Sequence, residues 1–102
     1  MNKFGLQKED VSAIVNEIKN YSQIQKVIIY GSRANGKYKP GSDIDLTLFG
    51  NKLNYSTLLD FSIALDELFL PYKFDVSVFS FISNPDLINH ILKVGQVFYV
   101  KQ

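Results

Sequence analysis

The stretch Gly31-Ser32-Arg33-Ala34-Asn35-Gly36-Lys37-Tyr38-Lys39-Pro40-Gly41-Ser42-Asp43-Ile44-Asp45-Leu46 decides how the rest of the chain is read. Before it, Lys26-Val27-Ile28-Ile29-Tyr30 is short and β-branched and is closed by Gly31, the pattern of a buried strand that ends in a turn. Residues 32–42 are the most polar part of the sequence, punctuated by Gly36, Pro40 and Gly41, and too long for a hairpin. Residues 43–49 then alternate. Ile44, Leu46 and Leu48 take one face of a strand, and Asp43, Asp45 and Thr47 take the other. A strand that runs into Gly-Ser and turns toward a first helical turn exposes backbone N–H groups and a hydroxyl, the groups that hold phosphate oxygens. Asp43 and Asp45 project from one face with Cα atoms about 6 to 7 Å apart, given a rise of about 3.3 Å per residue. Two such carboxylates repel, so the pair is costly unless a cation neutralises it. A hard ion such as magnesium suits all-oxygen ligands and keeps waters while it bridges substrate phosphates.

Outward from this core, residues 7–21 place Val11, Ile14, Val15 and Ile18 on one stripe of a helix. Residues 56–70 predict a second helix ended by Pro71, with Leu58, Phe61, Leu65, Leu68 and Phe69 facing the core. Leu59, Ile63 and Leu70 form another apolar set turned away from that stripe. They are a surface for a partner or for a homodimer, unless the first helix or the C-terminal segment covers them. Residues 73–80 alternate again, with Phe74, Val76 and Val78 on one face and Asp75 and Ser77 on the other. On a neighbouring strand, Asp75 completes a triad able to bind one metal ion and to orient or deprotonate an attacking hydroxyl; the alternative is an ordinary solvated strand residue. Asn84-Pro85-Asp86 marks the start of a last helix and Gly95 its end, after which residues 96–101 are extended. The order helix, strand, loop, strand, helix, strand, helix predicts an α/β fold, a small mixed β-sheet flanked by helices, in a single domain over residues 1–102.

With 102 residues, 46% of them hydrophobic, the chain buries roughly two-thirds of its unfolded surface and forms a core. A net charge of +1 argues against an extended nucleic-acid groove or a polybasic membrane anchor. The absence of cysteine excludes disulfides, thiolate nucleophiles and Cys zinc sites, and one histidine, His90, excludes a multi-histidine metal site within the chain. The N-terminal residues carry no apolar run of signal-peptide length and no stretch has the ~20 apolar residues of a membrane span, so the chain reads as cytoplasmic. His90 reads as an ordinary helix residue rather than a ligand or base, and Phe79, Phe81, Phe98 and Tyr99 as core rather than a stacking platform. Arg33, with Lys37 and Lys39, either offsets phosphate charge or belongs to an exposed basic loop.

Gly31-Ser32, ten intervening residues and Asp43-Ile44-Asp45 resemble the signature of the DNA polymerase β-like nucleotidyltransferase superfamily. The fuller string, Gly-Ser-Arg-Ala-x-Gly through Ser-Asp-Ile-Asp-Leu, is similar to its minimal nucleotidyltransferase (MNT) branch, and the likeness runs from the first helix to the C-terminus. The resemblance implies a polymerase β palm-like fold and magnesium-dependent transfer of AMP from ATP to a hydroxyl. Gly31 and Ser32, with Arg33 beside them, would contact the triphosphate. Asp43 and Asp45 would hold Mg2+, and Asp75 matches the family's third acid, which joins that set and with Asp43 activates the acceptor. The implied partner is a small helical HEPN protein, a toxin whose tyrosine receives AMP from this chain as antitoxin. Two rival readings stand beside it: transfer to a small hydroxyl compound such as an aminoglycoside, and a non-catalytic module that neutralises a toxin by occlusion.

Overall fold

The computed structural model describes residues 4–102; Met1, Asn2 and Lys3, part of the N-terminal stretch read above, lie outside the described residues. Helix α1 (Lys8–Ile18) buries Ile14 and Ile18 from its predicted stripe. It is followed by strand β1 (Lys26–Tyr30), a one-turn helix α2 (Ser32–Asn35) and strand β2 (Ile44–Phe49). Helix α3 (Tyr55–Asp66) crosses to strand β3 (Phe74–Val78), and a 3₁₀ turn at Phe79–Phe81 leads to helix α4 (Pro85–Val94) and strand β4 (Gln96–Val100). The sheet order is β3-β2-β1-β4. β1 runs antiparallel to β2 and β4, whereas β2 and β3 are parallel, an arrangement that needs a crossover connection, supplied here by α3. The result is the mixed sheet flanked by helices that the alternation implied.

The two faces of β2 have different tasks. Ile44, Leu46 and Leu48 join Val27, Ile29 and Val78 under Ile14, Ile18, Phe61 and Leu65, a cluster closed to solvent by α1 and α3. Each such side chain contributes about 1.5–3 kcal/mol, and truncating Phe61 to alanine would cost about 3–5 kcal/mol. On the opposite face, register aligns Tyr30 with Asp45 and Asp45 with Asp75. Behind them Thr47 is fully buried and accepts a hydrogen bond from Ser77 Oγ at 3.0 Å.

Three details differ from expectation. α3 begins at Tyr55 because the Asn54 side chain accepts from Thr57 N, and it ends at Asp66, well before Pro71. Phe69, three residues past the end of the helix, adopts φ 53° and is 88% exposed, so it is not a core residue. Gly95 is extended rather than left-handed. Its lack of a side chain matters because a Cβ there would collide with the Ile91 carbonyl and the Ile28 side chain.

Candidate active site

β1 ends at Tyr30, and Gly31 swings the chain into α2 with φ 75°. A Cβ on Gly31 would fall on the Asp45 carboxylate, so the glycine provides both the left-handed turn and the close approach of the acid. Gly31 O accepts from Ala34 N and Asn35 N, which closes the helical turn while the amides of Ser32 and Arg33 precede its first bond. Gln96 Nε2 donates to Ala34 O at 2.6 Å and ties this turn to the first residue of β4.

Asp45 and Asp75 stand side by side on β2 and β3, on the same face as Tyr30. Asp43 lies just before β2 begins, exposed, at the mouth of the loop. Burial, then Asp75, then Asp43 push the Asp45 carboxyl up to about 6, while the charge of His90 pulls it down. The Tyr30 phenol is also raised, first by burial and then by Asp75 and Asp45, with a Ser77 hydrogen bond offsetting part of the rise. His90 on α4 meets the Tyr30 ring edge-on at 6.2 Å. His90, an ordinary helix position by sequence, is brought by the fold against Tyr30 and within electrostatic reach of Asp45, and a solitary histidine on a helix carries no local signal of that. Tyr30, Ser77 and His90 thus join the group only through strand register and the packing of α4.

Two expectations change. Arg33 does not face the solvent-side turn: it is 2% exposed, and its guanidinium donates to the carbonyls of Ser42, Pro40, Phe4 and Gly5. The rings of Tyr38 and Tyr72 lie 5.4 and 5.1 Å from its Cζ. One planar charged fork reaches four carbonyls, which makes Arg33 the pin that fastens the Pro40–Ser42 turn to the N-terminal segment; Lys37 and Lys39 remain exposed. Nor do the three acids form a closed metal cage. Among the described residues no three His, Asp or Glu side chains converge in that way, because register sets Asp45 against Asp75 while Asp43 has already left the sheet.

A glycine-led helical turn set against carboxylates on adjacent strands suits the transfer of a phosphorus group. Residues 12–102 match the family described as polymerase beta, nucleotidyltransferase, and the chain belongs to that family. It is a nucleotidyltransferase domain. No curated protein sequence matches it. Among solved structures, a toxin–antitoxin complex with AMP-PNP contains a chain similar at TM-score 0.72 and 16% identity, over 90% of this chain and 74% of that one. A tri-AMPylated Shewanella oneidensis HEPN toxin in complex with an MNT antitoxin gives TM-score 0.68 at 14% identity, over 94% and 74%. The MntA-HepT toxin–antitoxin gives 0.67 at 14%, over 93% and 74%. At these identities the likeness is one of fold.

Proposed function

We propose that this chain transfers AMP from ATP to a hydroxyl of a partner protein, a tyrosine of a HEPN-type toxin, and so acts as the antitoxin of a pair. The observation that carries the reading is the in-register pairing of Asp45 with Asp75 beside the Gly31 turn. The toxin–antitoxin chains of the same fold, one with AMP-PNP and one with an AMPylated HEPN toxin, support the choice of nucleotide and acceptor. Drawing on ATP, the reaction belongs in the cytoplasm; no described helix is long and apolar enough to cross a membrane.

Magnesium fits the donor set. Asp45 resists ionising first because it is part-buried and then because Asp75 and Asp43 crowd it; a divalent cation relieves the crowding, and magnesium is commonly held by one or two carboxylates plus substrate phosphates. Asp43 and Asp45, with Asp75 beside them, are the residues that would hold it. Bound there, the ion would supply positive charge that offsets the triphosphate and the pyrophosphate leaving group. Gly31 and Ser32 hold phosphate oxygens through backbone amides and the Ser32 hydroxyl, which fixes the α-phosphorus toward the acids. The acceptor oxygen attacks that phosphorus and the bond to the pyrophosphate oxygen breaks. Asp75, with Asp43, orients the acceptor hydroxyl and takes its proton.

The test is incubation with α-phosphate-labelled ATP, magnesium and an extract of the source cells, with Asp45→Asn as control. Label on one discrete protein, lost with the variant, is the expected result. Transfer by Asp45→Asn at the wild-type rate, or no labelled protein at all, overturns the reading.

A further inference from the structure

We propose that the outward face of α3 is a docking surface for a partner helix whose apolar stripe is flanked by lysine and arginine. Tyr55, Leu59 and Ile63 recur every four residues along that face and are 71%, 60% and 47% exposed. Phe81, also exposed, stacks on Tyr55 with ring centroids 4.6 Å apart and widens the row at its start. The inner side of α3 buries Thr57, Phe61 and Leu65, so the helix is apolar on both sides and, among the described residues, only the inner one is buried. Neither α1 nor the C-terminal strand covers the outer row.

Charge specifies the occupant. Asp60, Asp66 and Glu67 stand three or four residues from Ile63, the spacing of neighbours on a helix surface. Glu17 of α1 extends the acidic border, since it acts together with Asp60 and Glu67 on the Tyr21 hydroxyl. No lysine or arginine occurs between Lys52 and Lys73. Lys19 lines a cavity with Val15 and Phe98, and Lys52 one with Ser22 and Lys101. Asp66 and Glu67 also sit at the C-terminal end of α3, where the helix dipole disfavours anions, so their position weakens the free helix and is relieved by a cationic neighbour. A second copy pairing through the same face would set acid against acid, which excludes it as the occupant.

α3 packs on the sheet face opposite Asp45, so docking leaves the acids open. The inference stands whether or not the partner is the AMP acceptor.

The experiment is an amide-resonance titration of the full chain with two synthetic helical peptides that share a leucine stripe, one flanked by lysine and arginine and the other by glutamate. The basic peptide is expected to shift Tyr55, Leu59, Ile63 and Phe81. Its affinity should fall about tenfold in Asp60→Asn with Glu67→Gln, with a comparable loss on raising salt. Leu59→Ser with Ile63→Ser should abolish binding and leave the chain folded with a cooperative melt, because both side chains lie outside the buried cluster. Equal binding of the acidic peptide, shifts confined to other surfaces, or no binding of the basic peptide overturns the proposal. So does sedimentation of the free chain as a dimer that the serine pair returns to a monomer. None of these readouts involves nucleotide, so failure here and failure of AMP transfer are separate results.

Discussion

Asp45 is the residue on which folding and chemistry pull in opposite directions. Burial and its acidic neighbours hold its carboxyl at about 6, above the ordinary 3.8, so the folded chain keeps a proton that the unfolded chain releases from about pH 4 upward. Without a divalent ion, that contribution to stability is full below this range and is lost as pH rises through about 6. Thermal melts at about pH 4.5 and about pH 7 should show the decline, and Asp45→Asn should flatten it. Arg33 makes a structural contribution through the carbonyls it holds. Arg33→Lys keeps the charge but loses the planar fork shared by Ser42, Pro40, Phe4 and Gly5. It is expected to destabilise the chain by about 1.5–3 kcal/mol, measured by urea unfolding.

Among the elements, the turn between β1 and α2 is where backbone conformation and site geometry coincide. Gly31→Ala places a methyl group on the Asp45 carboxylate and strains a positive φ. We expect a stability loss of about 1–3 kcal/mol and a disproportionate loss of transfer, checked by measuring unfolding and rate on the same preparation. Asn54 provides the contrast: its side chain caps α3 far from the acids in sequence. Asn54→Ala should cost about 1 kcal/mol and leave the transfer rate of the folded chain unchanged.

For the whole molecule, nucleotide and magnesium binding should be linked to folding. A ligand held only by the native chain adds about 2.7 kcal/mol at a hundredfold excess over its dissociation constant, a rise of several degrees in melting temperature for a domain of this size. Magnesium with a non-hydrolysable ATP analogue should produce that rise in the native chain and little of it in Asp43→Asn or Asp45→Asn. A full shift in both variants would separate these acids from metal and triphosphate.

Much of this was legible locally, for a physical reason. The alternation from Asp43 to Leu48 has a period of two, and the stripe from Val11 to Ile18 has that of a helix; each follows from backbone geometry within one element, so a few neighbouring residues suffice to determine which face is buried. The Gly31-Ser32 turn and its spacing to Asp43 and Asp45 are likewise contained in one continuous segment, and so is the Asn84 cap of α4. What only the tertiary structure decided depends on partners distant in the chain. Asp75 meets Asp45 through parallel register, His90 comes against Tyr30 when α4 packs over β1, and Arg33 is buried because the carbonyls of Phe4 and Gly5 lie 28 to 29 residues upstream. The left-handed conformation of Phe69, three residues past the end of α3, has no sequence marker. Periodicity records which side of an element is apolar, whereas register and helix docking are set by contacts between elements, and those contacts determine which polar residues share a site.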